Sequence, residues 1–162
     1  MIELIFLDID GCLTDGKIIY TSDNKEIKEF HVHDGAAIEA WLKLGKKIAI
    51  ITGRKSECVT ARAEDLKIDF VYQGVKDKLT CAKSVLKSLK LNFKQSAAIG
   101  DYYNDIALLE AVKLSFKPKN AHKALKVDKS LAHKGGDGAV AEMIEYIIKY
   151  NKMQREWNEL WR

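Results

Sequence analysis

Proline is nearly absent: Pro118 is the only one in 162 residues, so few positions force the chain out of regular structure. Cysteine is almost as scarce. Cys12, Cys58 and Cys81 are widely spread and form no CxxC pair. That pattern excludes a disulfide frame or zinc knuckle and suits a reducing compartment. No apolar run approaches the roughly 20 residues that span a bilayer. The opening MIELIFLDID has only a short apolar stretch, interrupted by acids, and does not read as a secretory signal. A cytoplasmic protein without a membrane partner is expected. Charge of one sign is also lacking, with 27 Lys and Arg against 23 Asp and Glu. The small positive excess suits an anionic small molecule. It is scattered, without a basic stripe interleaved with aromatics, so no nucleic-acid partner is expected. No repeat, low-complexity run or Pro/Gly/Ser linker divides the chain, which reads as one domain over 1–162.

What is present is alternation. Short apolar runs at Leu4–Leu7, Ile48–Ile51, Phe70–Tyr72, Ala97–Ile99 and Leu114–Phe116 are separated by segments with helical spacing. Continuous apolar strands are expected where helices cover both faces of a parallel sheet, so the fold class is α/β and Rossmann-like. The expected helices are Ala36–Leu44, Cys58–Leu66, Lys78–Leu89, Asp105–Val112 and Ala139–Ile148. One segment breaks the alternation: Lys17–Tyr20 and Glu26–Val32 flank a polar turn and predict a β-hairpin over 17–32 projecting after the first strand. The tail, 150–162, carries Trp157, Leu160 and Trp161 and is expected to dock, either on its own core or on another subunit.

Polar chemistry gathers where the strands end. Asp8-Ile9-Asp10-Gly11 closes the first apolar run, Thr52-Gly53-Arg54 the second, and Gly100-Asp101-Tyr102-Tyr103-Asn104-Asp105 the fourth. Ligands of open α/β sheets bind at the carboxyl ends of strands, so all three arrive at one edge. Lys78 starts a helix, where the dipole disfavours a cation unless an anion faces it. A carboxylate nucleophile, an acid/base, oxygen ligands for magnesium and cations for phosphate oxygens are what phosphoryl transfer requires. Each motif alone is weak; their joint occurrence points to chemistry.

DIDGCLTDG, ITGR, the lysine of VKDKL and GDYYND resemble the four motifs of the haloacid dehalogenase superfamily, and the match extends to Gly135–Ala139. With LTDG, the hairpin, Phe30–Gly35 and the GG-x-GA segment, the chain resembles the 3-deoxy-D-manno-octulosonate 8-phosphate phosphatases within it. The resemblance implies Asp8 as nucleophile, Asp10 as acid/base, and Thr52 and Lys78 as holders of the phosphoryl group. It implies Mg2+ on Asp8, Asp10 and Asp101, supported by Asp105. Thr14, Asp15, Gly53, Arg54, Asp34 and Gly35 are expected to line the substrate, a sugar-acid phosphate whose carboxylate Arg54 would clamp. Tyr102 departs from the family's second acid in the fourth motif.

Spacing bears on access. The stretch from Asp8 to Thr52 is filled by the hairpin and one helix, and that from Thr52 to Lys78 by a helix and a strand, so no cap domain is expected. In the resembled family, hairpins assemble a homotetramer and the tail reaches a neighbouring active site. Two further readings stay open: a phosphatase for a nine-carbon sugar acid 9-phosphate, and a non-catalytic oligomerisation module.

Overall fold

In the computed structural model, which describes residues 1–162, the apolar runs pair into one six-stranded parallel sheet. Its strands are β1 (Leu4–Leu7), β4 (Lys47–Ile51), β5 (Phe70–Tyr72), β6 (Ser96–Ile99), β7 (Leu114–Lys117) and β8 (Lys129–Ser130), in the order β5-β4-β1-β6-β7-β8. Strand β1 lies centrally, with Leu7 opposite Ile50 on one side and Ile99 on the other. The residues after those positions therefore emerge together at the carboxyl edge. The short strand β8 was not legible, because Lys129 and Ser130 are exposed and carry no apolar signal.

Side chains alternate across a strand, so successive residues feed two cores. Ile5, Leu7, Ile48, Ile50, Ala97 and Ile99 face α1 (Val32–Lys43), α2 (Glu57–Asp65) and α5 (Ala139–Tyr150). Leu4, Phe6, Ala49, Ile51 and Ala98 face α3 (Lys78–Ser88) and α4 (Ile106–Ala111). Each fully buried Leu, Ile or Phe contributes about 1.5–3 kcal/mol. Helix α5 presents Val140, Met143, Ile144, Ile147 and Ile148, a buried stripe at helical spacing. Just beyond it, Asn151 accepts the Ile2 N–H and donates to the Ile2 carbonyl, both at 2.8 Å, tying the end of α5 to the start of β1.

The hairpin is smaller than its sequence suggests. Its antiparallel strands are β2 (Ile19–Tyr20) and β3 (Glu26–Ile27), and Val32 already lies in α1. The reason is a cap: the His31 ring accepts the His33 N–H, so this segment begins a helix four residues before the apolar spacing indicates. His31 and His33, expected to alternate on a strand, instead sit at the helix start with their rings 4.8 Å apart. They line a cavity of about 570 Å³ with His133, Glu142, Trp157 and Trp161. The tail forms α6 (Gln154–Glu159), which packs Trp157 on its own core and leaves Trp161 54% exposed. No helix is long and apolar enough to cross a membrane, and no cap domain covers the carboxyl edge.

Candidate active site

Directly after β1 the chain turns sharply. Gly11 adopts φ +95°, a conformation that favours glycine, and the Thr14 N–H closes the loop on the Ile9 carbonyl. A Cβ on Gly11 would lie 2.1 Å from Asp101 Oδ2, so the bare backbone lets the acid of β6 approach the loop after β1. Behind it, Gly135 packs so tightly that a Cβ there would lie 1.8 Å from the Gly11 carbonyl oxygen. Gly135→Ala should therefore cost about 2–4 kcal/mol, the range of severe overpacking. A urea titration reads this directly, and an unchanged midpoint would contradict the packing.

At the centre lies Asp8, 7% exposed, whose Oδ1 is 2.8 Å from Lys78 Nζ. Lys78 Nζ is also 2.6 Å from Asp105 Oδ1. The lysine is buried at the N-terminus of α3, against the helix dipole, and two carboxylates compensate it. Asp77 caps that helix by accepting the Thr80 N–H. Burial pushes the Asp8 carboxyl up to about 7; the Lys78 charge opposes this, and repulsion from Asp105 and Asp101 adds to it. Burial and Asp105 push Asp101 up to about 6. The attraction of Asp8 and Asp105 outweighs burial and holds Lys78 firmly protonated.

The donor set fits a hard divalent cation. Ligating atoms of Asp8, Asp101 and Cys12 lie within 4.8 Å of one another. Burial, and then Asp8, push the Cys12 thiol well up, so it stays a neutral thiol beside two oxygen donors. Crowded carboxylates with raised pKa values offer what magnesium takes. Asp105, expected in support of these ligands, stands behind them. Its Oδ1 accepts from Lys78 and its Oδ2 accepts the N–H groups of Asp101 and Tyr102, at 3.0 and 3.3 Å, so it braces the loop that carries Asp101. Tyr102 turns outward, 53% exposed, against Tyr103 and His122.

Thr52 lies buried at the end of β4, its backbone bonded to Tyr72 and Val75, and Gly53 and Arg54 follow it, exposed, at the same edge. Arg54 Nε is 3.8 Å from Asp10 Oδ2, while its terminal nitrogen donates to Glu26 at 3.1 Å and to the Tyr20 hydroxyl at 3.2 Å. A residue the sequence reading passed over completes this network. Lys28, from the strand-like stretch after β3, places its Nζ 2.5 Å from Asp10 Oδ1 and 3.2 Å from Glu26 Oε1. Burial opposes its charge, but the Asp10 and Glu26 carboxylates hold the ammonium above the ordinary lysine value. The available signal was alternation: Glu26 and Lys28 are two apart in an extended segment and share a face.

Four residues expected to line the substrate are placed otherwise. The Thr14 hydroxyl accepts from Gly16 at 3.2 Å and lies within 3.4 Å of the Gly11 N–H and the Ile9 carbonyl, so it holds the loop together. Asp15 is exposed and pairs with Lys17. Gly35 is buried where a Cβ would meet Arg62 at 2.4 Å, which makes it a packing residue. Asp34 is fully buried, and its Oδ1 accepts the Ala141 N–H in the first turn of α5 at 2.8 Å, while Oδ2 has no partner. It ties α1 to α5, where an anion suits the helix dipole.

Burial raises the Asp34 carboxyl above its usual range, opposed by the Ala141 amide and His31. The folded protein thus keeps this proton after the unfolded chain releases it near pH 4 (about 3.9). The group's contribution to stability is complete below that pH and is lost as pH rises through the folded value. Asp34→Asn should remove this slope, so urea midpoints from pH 4 to pH 8 should shift in the variant's favour as pH rises. A constant difference between variant and wild type would refute it.

Against this geometry stand four likenesses. The haloacid dehalogenase-like hydrolase family matches residues 68–144. The 3-deoxy-D-manno-octulosonate 8-phosphate phosphatase KdsC of Escherichia coli (strain K12) is 36% identical over 149 residues, covering 91% of this chain and 79% of that protein. Two crystal structures superpose closely. The 3-deoxy-D-manno-octulosonate 8-phosphate phosphatase of Yersinia pestis matches with TM-score 0.92 and 35% identity over 94% of this chain and 83% of its own. That of Moraxella catarrhalis, in complex with a magnesium ion, a phosphate ion and a KDO molecule, matches with TM-score 0.91 and 36% identity over 95% and 90%. Shared architecture and identity across nearly the whole length settle kinship: the chain belongs to the 3-deoxy-D-manno-octulosonate 8-phosphate phosphatases, phosphoric monoester hydrolases of the haloacid dehalogenase-like group.

Proposed function

We propose that this phosphatase hydrolyses 3-deoxy-D-manno-octulosonate 8-phosphate, a step in lipopolysaccharide precursor synthesis in the cytoplasm, through a phosphoryl group carried on Asp8. The observation that carries the mechanism is the buried Asp8–Lys78–Asp105 cluster beside Asp101 at the carboxyl edge of β1 and β6. An Asp8 carboxylate oxygen bonds to phosphorus as the ester P–O bond breaks, and Asp10, which takes up a proton as the anionic substrate binds, gives that proton to the departing sugar oxygen. Asp10 then takes a proton from water as that water attacks phosphorus, releasing phosphate and restoring Asp8. Lys78 spreads the developing charge, and Thr52 with the Gly53 backbone holds phosphate oxygens. Asp8, Asp101 and the Asp10 backbone oxygen would hold magnesium, which supplies Lewis-acid stabilisation when bound.

Arg54, 43% exposed beside Asp10, supplies a cation for the sugar carboxylate. The uncapped edge leaves room for an eight-carbon substrate. The exposed apolar residues Ile18, Ile19, Tyr20 and Ile27 of the hairpin support assembly into a homotetramer, with further closure of the site by a neighbouring tail. The magnesium and KDO bound by the Moraxella catarrhalis relative support the same substrate and metal here.

The test is a comparison of kcat/KM for the eight-carbon ester, a nine-carbon sugar acid 9-phosphate and neutral hexose phosphates, with magnesium and with a chelator. The eight-carbon ester should lead the neutral hexose phosphates by about 100-fold, as expected when a site built for a charged group meets esters lacking it, and should also be preferred over the nine-carbon ester, which keeps the carboxylate. Removal of magnesium should abolish turnover. Preference for the nine-carbon ester, or equal turnover of neutral esters, would overturn the substrate.

A further inference from the structure

We propose that Lys28 of the hairpin is a positioning residue for Asp10, fixing the orientation of the carboxyl group that passes a proton to the leaving oxygen. The inference rests on the reading of Asp10 as proton donor and adds to it the element that aims the group. Asp10 is bracketed: Lys28 holds Oδ1 at 2.5 Å, and Arg54 Nε stands 3.8 Å from Oδ2. Both cations share Glu26 Oε1, at 3.2 Å from Lys28 and 3.1 Å from Arg54. The Tyr20 hydroxyl accepts from the same Arg54 nitrogen. Both hairpin strands thus contribute to one ring of ion pairs that closes on Asp10.

Burial makes this ring more than decoration. The Lys28 side chain is 1% exposed, and a shielded ammonium is tolerated only with partners in good geometry. Its long side chain is thereby confined, and so is the carboxylate it grips. Asp10 itself sits in a turn with φ −73° and ψ 112°, directly before the left-handed Gly11, and no regular helix or strand holds it. Its orientation must come from side chains. A proton donor misplaced by about 1 Å loses a large part of its effect.

The chemistry supplies a test that a merely structural role would not pass. A sugar alkoxide is a poor leaving group and needs a proton as the P–O bond breaks; p-nitrophenolate is a good one and leaves without it. The kcat/KM value reports only steps up to departure of the leaving group, so later hydrolysis of the Asp8 adduct does not enter. Lys28→Met should lower kcat/KM about 100-fold both for the sugar-acid phosphate and for a simple alkyl phosphate without a carboxylate, within the usual range for general acid catalysis, and for p-nitrophenyl phosphate less than about 5-fold; a loss confined to the sugar-acid ester would instead report on its carboxylate. Lys28→Arg, which keeps the charge, should recover at least about tenfold on the sugar ester, and Asp10→Asn should show the same discrimination between esters. Glu26→Gln, which loosens the ring without removing the cation, should give an intermediate loss on the sugar ester and the simple alkyl ester, and little on p-nitrophenyl phosphate.

Equal losses on the alkyl esters and on p-nitrophenyl phosphate, no loss on any of them, or a loss confined to the sugar-acid ester would overturn the role of Lys28. The substrate assignment fails separately: if wild type prefers another alkyl phosphate, the ratio against p-nitrophenyl phosphate is measured on that ester and still decides the matter. Should Lys28→Met fail to fold, Lys28→Arg and Glu26→Gln carry the comparison.

Discussion

Asp8→Asn should abolish turnover, by at least about 10⁴-fold, while leaving a folded protein. An amide of the same shape fills the space at the end of β1 but has no anionic oxygen to attack phosphorus. The stability side of the expectation follows from the local charges. Asp8 is pushed up to about 7 because burial and its acidic neighbours disfavour its charge. Replacing it with a neutral amide removes a strained carboxylate, and Lys78 keeps Asp105 at 2.6 Å as a partner. The melting temperature should therefore stay within a few degrees of wild type or rise. Rapid quenching of wild type with a labelled substrate, followed by mass spectrometry, should find the phosphoryl group on Asp8. Near-normal turnover by the variant, or an adduct on another side chain, would remove the foundation of the mechanism.

Lys78→Met should lose both activity and stability, and this double loss separates it from the first variant. The lysine stands between two buried carboxylates. Removing one partner of a buried ion pair leaves uncompensated charge and costs about 3–5 kcal/mol. Some of that loss is relieved as Asp8 takes up a proton; without Lys78, which lowers it, the Asp8 carboxyl moves above about 7, so the deficit should grow as pH rises above about 7 and level off below it. Turnover should fall by about 10²–10³-fold, the usual consequence of deleting one fixed donor to a developing anion. Urea unfolding at pH 6 and pH 8, with steady-state kinetics, checks both limbs. A variant as stable as wild type at pH 8 would show that the lysine is not the counter-charge its distances imply.

The strands and the central acids were legible because their signals are local. A continuous apolar run such as Ile48–Ile51 can lie only where both faces of a strand are covered, and that is its position. Asp8 and Asp101 were legible because charged residues at the end of such runs have few structural excuses. Asp34 and Gly35 misled for the opposite reason. Motif membership does not separate a residue that touches substrate from one that supports the scaffold, and Asp34 is engaged with α5 more than a hundred residues away in sequence. Lys28 was passed over because its one signal, alternation with Glu26, is weak and a lysine in a charged hairpin reads as a solvated side chain. Only tertiary folding brings it to Asp10. The His31 cap illustrates the same limit at short range: apolar spacing places the start of a helix, while a single side-chain bond extends it.

The central place of β1 has a bearing on how the chain is made. Vectorial synthesis releases β1 first, yet its two neighbours, β4 and β6, begin at Lys47 and Ser96. The strand that delivers the nucleophile must wait, with its apolar faces unshielded, until well over half of the polypeptide has left the ribosome. Its backbone clasp is later still, since Asn151 joins Ile2 only when α5 is complete. The strand that starts the chemistry is thus made before both of its neighbours and is among the last to be locked.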